Sequence, residues 1–149
     1  MNKVEELEAF IDEEKIDVSF ISESHDREDK RLDEHFDLED YKIITNLHQR
    51  TEQGGRPALI VNKKNYNIQD ITNTLIQIPW GVEVTCAILT PKEVTSDSTI
   101  QNFVLGSIYS KPNSRSKTAT LATFLKNTIF SLASMERDCT GFLQKTLMI

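Results

Sequence analysis

At 149 residues the chain has the length of one domain, long enough to bury a real core. A hydrophobic share of 38% beside 27% charged residues excludes a disordered chain, and no apolar run nears the roughly 18 residues that span a bilayer. The net charge of −6 is uneven: residues 1–40 hold 16 of the 23 acids and 5 of the 17 bases, a balance of −11, which leaves +5 on residues 41–149. An acidic segment that could hold a divalent cation, or lie on a solvated helix face, thus precedes a mildly basic body that could face phosphates.

In chain order, Val4, Leu7, Phe10 and Ile11 recur at helical spacing, which predicts an amphipathic helix over 3–14 with one buried stripe. Residues 16–22 are nearly continuous in Ile, Val and Phe, the pattern of a central strand covered on both faces. Residues 24–40 are a charged loop with room for a helical turn, and Tyr41–Ile44 is a short strand. Gln53-Gly54-Gly55-Arg56-Pro57 is turn chemistry before a compact buried strand, Ala58–Val61.

Asn62–Asn67 is a polar turn, and Ile68 to Ile78 fits either a weak helix or extended chain. Residues 82–89 alternate as a strand, and 103–109 form another. With the polar loop Pro91–Thr99 between them, they predict an antiparallel hairpin with a long connection. Residues 110–118, SKPNSRSKT, are a basic loop before a helix from Leu121 to Phe130. Together the elements make an α/β or α+β layered pattern.

The N-terminus, MNKVEELEAF, is acidic and amphipathic, unlike a signal peptide, so an intracellular protein is expected, with nucleus and cytoplasm undecided. Cys86 and Cys139 lie far apart with no metal-site spacing, against a disulfide scaffold or a zinc centre.

Three signals follow one another: a strand ending in Glu23, the double glycine before Ala58-Leu59-Ile60-Val61, and a strand running into Tyr109-Ser110-Lys111-Pro112-Asn113. Together they resemble the first half of the endonuclease/exonuclease/phosphatase superfamily, the four-layered α/β sandwich of apurinic endonucleases, DNase I and the endonuclease domains of non-LTR retrotransposons. The retrotransposon branch is nearest in texture, and the resemblance spans about residues 3–125. It implies a partial DNase I-like α/β sandwich over 1–125, truncated at both ends, and a divergent tail over 126–149.

The resemblance further implies Mg²⁺, or Mn²⁺, on the carboxylate of Glu23 and DNA as the partner, with no membrane. Tyr109 would lie near the phosphate, as a hydrogen-bond donor or, if its pKa fell, as a base. Asn113 would fix its loop, and His25 at the lip of the site could touch nucleic acid. Arg56 and Arg115 stand with Arg50, Lys111 and Lys117 in loops that gather at one end of the sandwich in that family, where they would face phosphates.

The family's opening strand with its metal-site asparagine, its Gly-Asp-x-Asn strand and its C-terminal Asp-His pair have no counterpart in this sequence. The expectation is therefore part of a divalent-metal-dependent phosphodiesterase that cleaves nothing by itself. Two alternatives stand beside it: a non-catalytic α/β binding module, and a relative of the superfamily's phosphatases. Half a sandwich would also leave one sheet face uncovered and strand edges unpaired, which predicts self-association.

Overall fold

A computed structural model of the protein describes residues 3–24, 32–45, 56–74, 78–79, 81–93, 102–110, 120 and 122–128. The helix α1, Lys3–Glu13, leads into β1, Val18–Ile21. Then come a single helical turn α2, Leu32–His35, and strands β2, Tyr41–Thr45, and β3, Ala58–Asn62. Strand β4, Tyr66–Asp70, and a 3-10 turn at Thr72–Thr74 precede the long strands β5, Val82–Pro91, and β6, Phe103–Ser110. A last helical segment covers 122–128 and so runs across residue 125.

Helix α1 stops for a local reason. Lys15 takes a left-handed φ of 52°, the Ile16 amide donates to the Ile11 carbonyl at 3.1 Å, and the Lys15 amide donates to that of Asp12 at 3.4 Å. This is a Schellman closure with lysine where glycine is usual. The expected buried stripe is only partly realised: Ile11 is fully buried, whereas Phe10 is 55% exposed.

All described strand pairs are antiparallel and form two three-stranded sheets, ordered β1-β3-β2 and β4-β5-β6. The expected hairpin of the last two strands is present as β5–β6. Of the undecided stretch Ile68 to Ile78, residues 68–74 form the end of β4 and the 3-10 turn, where the Thr72 hydroxyl donates to the Cys86 carbonyl and accepts its amide, and 75–77 lie outside the described residues. One expectation is corrected: β1 pairs only with β3 among the described residues and is half-buried throughout, so it is an edge strand. The central strand of that sheet is β3, whose Ala58 to Val61 are fully buried.

The two sheets lie face to face. Ile44, Leu59 and Val61 of the first pack with Ala87 and Leu89 of the second, flanked by Val18, Phe20, Phe103 and Leu105. On the far side of the second sheet Val82, Val84 and Cys86 meet Ile71 and Phe124, with Leu125 packed against them. Period-two alternation along β5 therefore separates two buried faces, not a buried and a wet one. The expected uncovered sheet face is likewise corrected, because β4-β5-β6 supplies the facing sheet.

Strand β5 is aimed by the turn before it. Gly81 has φ 75°, and the Val82 amide donates to the Pro79 carbonyl at 3.0 Å, a turn that needs a residue free of a Cβ at its third position.

Candidate functional site

The face that β5 and β6 turn toward the first sheet is apolar at one end and polar at the other. Cross-strand partners run Leu89 with Phe103, Ala87 with Leu105, Thr85 with Ser107 and Glu83 with Tyr109. The last two rungs lie where β1 ends and β3 begins. There Thr85 Oγ1 donates to the Pro57 carbonyl at 2.6 Å, and Ser107 Oγ donates to the Ile21 carbonyl at 2.9 Å. Each hydroxyl binds a backbone carbonyl at the rim of the opposite sheet, which satisfies groups that the sheet ladder leaves over.

Next along this seam, Glu83 is only 1% exposed. Its carboxylate accepts the backbone N–H of Arg56. A buried carboxylate must be hydrogen-bonded to be tolerated, and a backbone amide is a fitting partner for it. Arg56 stands at φ 61°, a left-handed conformation that a residue with a Cβ adopts at a cost of about 1–2 kcal/mol. Its carbonyl accepts both the Ser24 amide at 3.1 Å and Ser24 Oγ at 2.8 Å. The residue is thus clamped on both sides, by Glu83 and by Ser24.

Glu23 is exposed at the end of β1, immediately before Ser24. Tyr109 is half-buried at the end of β6. Its phenol is pushed above the usual tyrosine range, first by burial and then by the negative charges of Glu23 and Glu83. That pairing places the two motif residues, far apart in sequence, within electrostatic reach of each other. The shift favours the protonated phenol, the form that donates a hydrogen bond.

Of the expected site residues, Glu23, Tyr109 and Arg56 gather at this end of the facing sheets. His25, Asn113 and Arg115 lie outside the described residues, as do Arg50, Gly54, Gly55, Lys111 and Lys117. Glu83, Thr85, Ser107 and Ser24 did not figure among the expected site residues. For Glu83 and Thr85 the available signal was an acid and a hydroxyl within residues 82–89, a stretch otherwise built of Val, Cys, Ala, Ile and Leu and too apolar for its polar positions to face water.

Among the described residues no group of three or more His, Cys, Asp or Glu is placed to hold a metal ion. Magnesium needs less: one or two carboxylates, with water and substrate phosphate oxygens completing its shell. The hard, exposed oxygen of Glu23 beside Tyr109 fits that demand, and Glu23 is the residue that would hold the ion. The buried carboxylate of Glu83 is committed to the Arg56 amide.

No protein-family model, no curated protein and no solved structure matches the chain. The described architecture is mixed α/β with two small antiparallel sheets. No helix among the described residues is long and apolar enough to cross a membrane.

Proposed function

We propose that this chain carries part of a divalent-metal-dependent phosphodiesterase site of the endonuclease/exonuclease/phosphatase type, in its retroelement form, and that it binds a DNA phosphodiester without cleaving it. The observation that carries this reading is the seam geometry: Tyr109 pairs across from Glu83 two residues beyond Ser107, whose hydroxyl binds Ile21 two residues before Glu23, and Ser24 binds Arg56 at the same rim. Mg²⁺, when bound, would supply charge to polarise a phosphoryl oxygen. Glu23 contributes the hard donor for the ion. Tyr109 donates its phenolic proton toward a non-bridging oxygen, and Arg56 offers fixed positive charge to the backbone. The sequence has no Gly-Asp-x-Asn run and no Asp-His pair to hold a nucleophilic water or protonate a leaving oxygen, so the bond stays intact.

A non-catalytic binding module is the second reading. It is favoured by the commitment of Glu83 to a backbone clamp, a structural use of the buried carboxylate at this rim.

Supercoiled plasmid incubated with Mg²⁺ and the purified chain, beside its Glu23→Ala variant, tests the loss of cleavage. Both are expected to leave the plasmid closed. Nicking by the wild type that disappears in Glu23→Ala would show a complete site and overturn the non-cleaving half of the proposal.

A further inference from the structure

A left-handed arginine held by a buried carboxylate is an arrangement that stability alone does not explain. Glycine at position 56 would relieve the backbone, and a hydrophobic residue at position 83 would avoid burying a charge. Both features serve to hold Arg56 in one place. The arginine's own side chain carries the complementary clue: Nη1 is buried and has no hydrogen-bond partner among the described residues. A buried donor of a charged group left unpaired is expensive, and an oxyanion with several acceptor oxygens is the chemistry that satisfies it.

We propose that Glu83 is a positioning residue whose carboxylate, by holding the Arg56 amide, sets the Arg56 guanidinium to receive one phosphate-type oxyanion. Three observations converge on it: the hydrogen bond from the Arg56 amide to Glu83, the two hydrogen bonds from Ser24 to the Arg56 carbonyl, and the Nη1 unpaired among the described residues. The clamp fixes the residue's backbone on both sides, so only side-chain torsions remain to be ordered when an anion arrives. Preorganisation of this kind raises affinity by removing an ordering cost. The inference rests on the phosphate-binding part of the proposed function, and it does not require DNA to be the source of the phosphate.

Inorganic phosphate is the probe, titrated into the full chain labelled with ¹⁵N and followed at the Arg56 Nε–H signal, assigned by its disappearance in Arg56→Lys. Two conservative variants keep the test independent of folding. Glu83→Gln keeps an oxygen at the same reach but loses the charge. Glu83→Asp keeps the charge but is one methylene too short for the amide.

The wild type is expected to show a saturable shift, with Glu83→Gln binding phosphate within about threefold of it and Glu83→Asp at least about tenfold more weakly. The Arg56 backbone amide proton reports the bond itself, lying far downfield in the wild type and in Glu83→Gln and moving upfield in Glu83→Asp. Phosphate binding unchanged in Glu83→Asp, equal loss in both variants, or no response in the wild type would each overturn the proposal. Phosphate binding by Arg56 without any DNA binding would sink the DNA reading and leave the role of Glu83 standing. DNA binding that is indifferent to Glu83→Asp would do the reverse.

Discussion

Arg56 and Cys86 show how single residues carry the energetics of this fold. At φ 61° Arg56 stores strain that a glycine would release. Arg56→Gly is accordingly expected to raise stability by about 1 kcal/mol in urea unfolding, despite losing a whole side chain. It should abolish phosphate binding at the same time. A stability loss in Arg56→Gly would show that the side chain supports the fold and is not held for a ligand.

Cys86 packs against Phe124 and Val84, and burial pushes its thiol up to about 12 from an ordinary 9.0. Tyr41 and Tyr66 are raised in the same direction, mainly by burial and then by Asp17. Because folding raises these values, the unfolded chain releases protons first. The stability contribution is therefore complete below about pH 9 and is lost as pH climbs toward 12. Urea midpoints should stay level from pH 7 to 9 and then fall, with a shallower fall in Cys86→Ala. A midpoint independent of pH up to 11 would contradict the burial of this thiol.

At the scale of elements, the seam between the sheets has an apolar end and a polar end. Its apolar end is ordinary core, and Leu59→Ala there should cost about 2–5 kcal/mol. Its polar end is built from hydroxyls that tie β5 and β6 to the rims of β1 and β3. Thr85→Val, of nearly the same shape, leaves the Pro57 carbonyl without its donor and should cost about 1–3 kcal/mol. If Thr85→Val were as stable as the wild type, the seam would be replaceable by plain packing.

The elements themselves were largely legible in the sequence, since the 3.6-residue stripe of α1 and the two-residue alternation of β5 and β6 are local signals. The position of β1 at an edge was not legible. A nearly continuous apolar strand reads as central, and its pairing with β3 alone among the described residues shows otherwise. Glu83 escaped for a related reason: alternation tells which residues share a face, but not whether that face meets water or another sheet. Glu23 and Tyr109 were singled out only through resemblance to a family motif. Their proximity depends on two sheets packing together, a long-range arrangement with no local mark.

For the whole molecule, the facing sheets remove one ground for self-association, the uncovered apolar face. The edges remain: β1, β2, β4 and β6 each pair on one side only among the described residues. Sedimentation across a concentration series is expected to show reversible association through such edges, reduced by a lysine placed in β4 at Ile68. A monomer at every concentration would show that the edges are protected. Ile68 packs against the inter-sheet cluster, so its lysine variant needs a thermal melt alongside, and Gln69→Lys, at an exposed neighbour, serves as the second probe.

In the proposed function, Glu23 is the place where a divalent ion and a phosphodiester would be joined. The most direct test is the affinity of a short labelled DNA duplex, by fluorescence anisotropy at constant ionic strength, with and without Mg²⁺, for the wild type and Glu23→Ala. Counterion competition alone makes Mg²⁺ weaken binding to phosphates. A bridging ion at Glu23 predicts the opposite, about tenfold tighter binding in the wild type and no gain in Glu23→Ala. Equal responses to Mg²⁺ in the two proteins, or no DNA binding by either, would contradict the proposed site.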